Sequence, residues 1–271
     1  MKKLLSVALA GLSLLSLSAV ALADGWKNDP IWHDGLVEKA VYNATRIVYA
    51  HPRQYQMIVF TNKEQHDLKT DTKSDKSQNT VEVWKHNQIE DIPTPNYHYH
   101  YETTTHLDVN HLDLTRLDCS SQEFCGTSFK QYLRLFPKQS WSYWAFSYLP
   151  EQGRVQGTVT QSQHKIVAAD SLPLYLRDFD FATKATQQVA LLPDQTNNNN
   201  IKFEPVEAEI RFAGEDGDSY KLEVVTGGKT LGTYWMAKDR LHVMTRYQGA
   251  DGQTYELASL SRVDYWTRHE K

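Results

Sequence analysis

Positions 207–212 read EAEIRF, and the alternation in those six residues decides the fold. Ala208, Ile210 and Phe212 fall on one side of an extended chain while Glu207, Glu209 and Arg211 fall on the other, the pattern of a strand with one buried and one wet face. The period of two continues downstream in KLEVV, TLGTYWM, LHVMTRY and TYELASL. Turn residues separate these runs: GEDG at 214–217, Gly227-Gly228 and Asp251-Gly252. The last third of the chain therefore predicts an antiparallel meander.

The same period dominates upstream. Residues 40–49 (AVYNATRIVY) and 54–61 (QYQMIVFT) are β-branched and aromatic runs on either side of His51-Pro52-Arg53, which reads as a hairpin turn. Residues 63–79 are almost entirely polar and predict a solvated hairpin tip or mobile loop. Strand-like segments resume at 81–84, 97–109, 112–118, 128–136 and 140–148. One segment departs from the pattern, DSLPLYLRDFDF at 170–181. Asp170 or Ser171 can cap, Pro173 suits a first turn, and Leu172, Tyr175, Leu176 and Phe179 fall at helical spacing. The expectation is a mainly β protein: a curved antiparallel sheet, or an open barrel or half-barrel meander, with one short covering helix near 170–180. Residues 24–182 and 201–271 form two candidate subregions joined by a polar loop that includes Asn197 to Asn200. No Rossmann or phosphate-loop glycine pattern occurs.

The first residues bear on the compartment. Lys2 and Lys3 precede an apolar run ending in Ala21-Leu22-Ala23, the small-x-small form of a signal peptidase site. Serines dilute the run, so it reads as a signal peptide cleaved after Ala23 rather than as a membrane span. No cysteine sits at that boundary to accept a lipid, and the short MKK start has a bacterial form, so the expected compartment is the periplasm. Residues 24–271 keep 27 of the 29 basic residues and all 33 acidic ones. That mild acidity disfavours a nucleic-acid partner or strong adhesion to an anionic bilayer. In an oxidising compartment Cys119 and Cys125, separated by a turn-like SSQEF, predict a local disulfide.

These residues carry a resemblance. The segment SSQEFCGTSFKQY, preceded by the strand at 97–105 and followed by an aromatic strand and the LPLYLR helix, resembles a family of uncharacterised secreted bacterial proteins with a Ser-Gln-Glu-aromatic-Cys-Gly core. Residues 36–60, paired Tyr-rich strands around a proline turn, are similar to the N-terminal half of that family. The specific motif is Gln122-Glu123-Phe124-Cys125-Gly126. The family aromatic is more often Trp, and the upstream Cys119 is not a family feature. Some members carry the label "septum formation inhibitor Maf". True Maf proteins look like cytosolic α/β nucleotide pyrophosphatases, whereas this chain has a signal peptide and a β pattern. The last third also resembles periplasmic proteins built on an open, curved sheet, similar in outline to lipoprotein carriers. The resemblance implies a fold and a compartment, and no established activity.

Residues 96–111, NYHYHYETTTHLDVNH, hold four of the chain's eleven histidines. On a strand, His98, His100, Glu102, Thr104, His106 and Asp108 share one side while Tyr97, Tyr99, Tyr101, Leu107 and Val109 share the other. Same-face neighbours stand roughly 6.6 Å apart, so His98 and His100 can reach one ion, with Glu102 as a third donor to a divalent metal such as zinc. The simpler reading packs the Tyr face and leaves the His face in solvent, with no cofactor. The run WSYWAF offers Trp141, Tyr143 and Trp144, with Trp235 further on, as core or as the lining of a cavity. Glu123 reads as a turn carboxylate or as an acid/base residue.

Three functions follow from these readings. The first is non-enzymatic binding of an apolar, lipid-like or envelope-derived ligand, with Trp141, Tyr143, Trp144 and Trp235 lining its cavity. The second is a metal-binding or metal-dependent hydrolytic site on His98, His100 and Glu102. The third is a structural envelope component that binds a protein partner through a strand edge.

Overall fold

The computed structural model describes residues 25–74, 77–124, 126–161, 163–197 and 203–264. The predicted signal peptide and Cys125 lie outside the described residues. The chain is mainly β, as the alternation predicts. The first half supplies β1 (Val37–Val48), β2 (His51–Asp67), β3 (Thr72–Lys73), β4 (Thr80–Pro93), β5 (His98–Asp108) and β6 (Leu114–Gln122). Next come β7 (Thr127–Arg134), β8 (Ser140–Ser147), β9 (Gly153–Thr160), β10 (Ile166–Ala168) and β11 (Gln187–Leu192). The meander is β12 (Val206–Asp216), β13 (Ser219–Thr226), β14 (Lys229–Ala237), β15 (Met244–Gly249) and β16 (Thr254–Val263).

Among the described residues all sixteen strands belong to one sheet, ordered β10-β11-β12-β13-β14-β15-β16-β1-β2-β4-β5-β6-β7-β8-β9, with β3 also paired to β2. Neighbours are antiparallel except β10 and β11. Because β16 pairs with β1, Val37 opposite Val263, the first and last strands lie side by side in the middle of the sheet. The two edges, β9 and β10, share no ladder, so the sheet curls without closing.

The interior explains the curl. β10 is buried throughout, and so are Val189, Ala190, Leu191 and Leu192 of β11. Alternate residues of these strands serve different cores. Val167, Val189 and Leu191 pack with Tyr42, Met57, Ile210 and Val224, whereas Ile166, Ala168, Ala190 and Leu192 pack with Trp84, Leu114, Leu117 and Trp141. A strand buried on both faces needs apolar groups on both, which is why this edge reads as short continuous apolar runs. The sheet is thus rolled around its own β10–β11 edge.

The predicted helix forms at α1 (Leu172–Tyr175), flanked by 3-10 turns at Ala169–Ser171 and Leu176–Asp178. It lies inside the roll: Leu172 and Leu176 join the first core and Leu174 the second. Arg177 fixes it to β1 through a two-pronged pair with Glu38, Nη2 to Oε1 at 2.6 Å and Nη1 to Oε2 at 3.2 Å, both side chains 3% exposed. Trp26 and Trp32 flank the Arg177 guanidinium at 5.7 and 6.0 Å.

Two local expectations are corrected. The first hairpin turns at Tyr49 and Ala50, with φ of 54° and 61°, rather than at His51-Pro52-Arg53. Val48 pairs with His51 and Ile47 with Pro52, so the proline is inside β2. Two successive left-handed residues make the tight turn whose twist matches a hairpin. Pro52 is tolerated because β4 joins β2 only from Met57 onward, leaving that side of the strand without a neighbour. Within the polar stretch 63–79, residues up to Asp67 continue β2, and His66 and Asp67 are buried. Lys63 lies 4.8 Å over the Trp84 ring, and Asp67 Oδ1 accepts the N–H groups of Lys69 and Thr70, so polar side chains are satisfied within the ladder.

Candidate functional site

The His-rich strand is β5. Tyr101, Thr103, Thr105 and Leu107 point inward and are buried, while His98, His100 and Glu102 are exposed. His98 Nδ1 lies 3.2 Å from Asp91 Oδ1, and Glu102 Oε1 accepts from Asn87 Nδ2 at 2.9 Å. His106 faces Glu64 instead, at 3.1 Å. Among the described residues no three His, Cys, Asp or Glu side chains are grouped to hold a metal ion.

The four candidate cavity aromatics are spread over both faces. Trp141 is buried and donates its indole N–H to the Leu114 carbonyl at 2.8 Å. Tyr143 stacks on Phe203 at 4.6 Å. Trp144, one step along the pleat, sits on the outer face 5.6 Å from Phe129. Trp235 also faces outward, under the Arg246 guanidinium at 3.7 Å, donating to Asp216 Oδ2 at 3.0 Å. Tyr143 and Trp144 border one shallow hollow on β8 and β9, and Trp141 and Trp235 do not join them there.

Cys119 is buried and has no disulfide partner among the described residues; Thr103 Oγ1 and the Gln195 carbonyl each lie 3.3 Å from its Sγ. Burial pushes the thiol up to about 12, so it stays neutral. Its expected disulfide with Cys125 falls on a residue outside those described.

The cavity lies elsewhere, between the helical segment and the meander. A hollow of about 390 Å³ is walled by Leu172, Leu191, Pro193, Val206, Val224, Leu231 and Tyr234, with Asp194, Asp251 and Gln253 as polar groups. No Lys, Arg or His is among the described residues that line it. Tyr247 closes one side, and the ring is held by glycines: a Cβ on Gly232 would stand 2.6 Å from it and one on Gly249 2.7 Å. These two glycines face each other across β14 and β15, so the pair forms a shelf for the tyrosine.

A smaller polar pocket of about 60 Å³ adjoins it, sharing Asp194, Tyr234, Tyr247 and Gln253 and adding Gln88 and Asp170. Burial, together with the charge of Asp194, holds the Asp170 carboxyl well above the usual carboxylate range. Both Asp170 oxygens lie 3.3 Å from the Gln195 amide nitrogen. Glu90 is raised by burial as well; Arg46 at 3.8 Å and donors from Tyr55 and Gln88 partly offset it.

Beyond Arg46 the roll opens at a tyrosine mouth. A second hollow, about 380 Å³, is lined by Tyr49, Tyr99, Tyr101, Ile92, Leu149 and Glu123, among others. Sequence spacing points to neither hollow, because their residues come from separate elements; Asp170 reads as a helix cap and Tyr247 as one residue of a strand.

No family model and no curated protein matches the chain. Among solved structures it is similar to a beta-barrel-like protein of the domain of unknown function DUF1849 from Brucella abortus, at 10% identity and a TM-score of 0.47, over 84% of this chain and 98% of that one. No helix among the described residues is long and apolar enough to cross a membrane.

Proposed function

We propose that this is a non-enzymatic binding protein of the bacterial periplasm whose rolled sheet holds an apolar, envelope-derived ligand. The observation that carries the reading is the hollow of about 390 Å³ between the helical segment and β13–β15. Its size is in the range of small-molecule sites, and apolar walls with a few polar groups at one end are what such sites use to bind and orient a ligand. Leu231 at its rim is 39% exposed, so apolar surface remains for a ligand to cover. Each buried methylene adds about 0.8 kcal/mol, so affinity should rise with the length of alkyl chain that the hollow covers. The carboxyl-bearing end and the lack of a lining cation favour a neutral or amine head over a carboxylate or phosphate. Export rests on the pattern of residues 1–23.

A fluorescent apolar probe tests the reading. The mature protein is expected to bind it in a saturable manner, and decylamine or decanol is expected to displace it. A Leu231→Trp variant that is folded and still binds with unchanged affinity would place the ligand elsewhere.

A further inference from the structure

Within the motif at 122–126, Glu123 and Phe124 have a place in the fold that the apolar hollow does not use. Glu123 lines the tyrosine mouth, and the Phe124 ring, 87% exposed, stacks on Tyr97 with centroids 5.8 Å apart and planes 19° apart. The row of rings continues along β5, Tyr97 to Tyr99 at 5.5 Å and Tyr99 to Tyr101 at 6.5 Å with planes 6° apart. Tyr49, from the tip of the first hairpin, joins it side-on at 6.1 Å and is 62% exposed. The left-handed φ values of Tyr49 and Ala50 are unfavourable for non-glycine residues, and this tip carries Tyr49 to the row. Three phenol hydroxyls meet there: Tyr49 bonds Tyr97 at 2.8 Å and also Tyr99, with Tyr97 and Tyr99 3.5 Å apart.

We propose that this mouth binds a neutral saccharide, one ring seated on the exposed aromatic faces and its hydroxyls bonded to the phenols and Glu123. The negative face of an aromatic ring attracts the weakly positive C–H groups on the flat side of a sugar ring, and burying that side removes apolar surface from water. Phenol hydroxyls both donate and accept and a carboxylate accepts twice, which matches a polyhydroxylated edge. Other ligand classes fit less well. A purely apolar molecule would strip water from the Glu123 carboxylate and the phenols and offer no polar group in return. An anion would meet Glu123, while Arg46, the cation of the lining, is already engaged by Glu90 and the Thr196 carbonyl. A quaternary ammonium needs a gap between rings, and here the rings touch hydroxyl to hydroxyl.

Saturation-transfer NMR on the mature protein tests this with soluble tetramers of β-1,4-linked N-acetylglucosamine and of β-1,4-linked glucose, and with tetramethylammonium as the competing class. Saturation of sugar C–H protons is expected for at least one tetramer. Affinity should fall at least tenfold in Tyr49→Ala and in Phe124→Ala, whose exposed rings are removable without emptying the core. Tyr49→Phe, which keeps the ring, should lose less. Absence of transfer to both tetramers, binding of tetramethylammonium alone, or sugar affinity unchanged in both alanine variants overturns the proposal. None of these outcomes depends on the apolar hollow, which the displacement assay reads separately.

Discussion

Arg46 on β1 reaches across the inside of the roll to Thr196, donating from Nη2 to its carbonyl oxygen at 2.6 Å and from Nη1 to its hydroxyl at 3.3 Å. Lys130, itself buried, donates to the neighbouring Gln195 carbonyl at 2.8 Å and to that of Asn197. Half-buried Arg46 and buried Lys130 therefore fix residues 195–197, which follow Asp194 of the apolar hollow and lead to Asn197 of the tyrosine mouth.

Arg46→Met should destabilise the protein by about 3–5 kcal/mol, because it leaves the Glu90 carboxylate buried without its cation. Urea unfolding checks the magnitude. Amide exchange at 195–197 should accelerate in the same variant, since the Thr196 carbonyl loses both its donor and its anchor to β1. Adding Glu90→Gln should recover part of the loss, by removing the stranded charge.

Removing one partner of the Glu38–Arg177 pair should be similarly costly, about 3–5 kcal/mol for Glu38→Gln or Arg177→Met. The double variant should recover much of this, because a buried ion pair replaced as a whole is often near neutral. A double-mutant cycle in urea measures the coupling; additive single losses would show that the pair does not hold the helical segment to β1.

Acid stability should depend on His86. It is fully buried, with Nδ1 2.9 Å from Thr61 Oγ1, and burial, aided by the Arg177 charge, lowers it from 6.5 to about 3. In the unfolded chain the imidazole takes a proton near 6.5, whereas in the folded protein it does so only near 3, so between these values the unfolded state binds more protons. Stability supplied by the neutral imidazole is present above pH 6.5 and is lost as pH falls towards 3. At about 1.4 kcal/mol per pH unit the loss reaches roughly 5 kcal/mol. In His86→Asn, which keeps an acceptor or donor for Thr61, the acid slope between those pH values should flatten relative to the parent protein.

Much of the fold is legible in sequence where one face of a strand is apolar and the other wet. EAEIRF at 207–212 and its neighbours form the meander, with Ala208 and Ile210 in the core. In β5 the Tyr101–Leu107 side packs inward and His98, His100 and Glu102 meet solvent. The second half of β4 is opaque for a physical reason: His86, Gln88 and Glu90 point inward and are buried, with His86 Nδ1 against Thr61, Gln88 donating to Glu90, and Glu90 facing Tyr55 and Arg46, so the polar–apolar signal is absent. The hairpin tip misleads because Pro52 looks like the turn while Tyr49 and Ala50 make it without glycine. The apolar hollow is illegible because its walls come from 169–172, 191–194 and β12 to β15 and become neighbours only when the sheet rolls.

Native mass spectrometry of mature protein purified gently from periplasm tests the central claim most directly. The account predicts a lipid-like mass that leaves on denaturation and is absent from a folded Leu231→Trp variant. Protein of bare mass that also fails to bind an apolar probe, or a zinc-sized mass lost on His100→Ala, would contradict it.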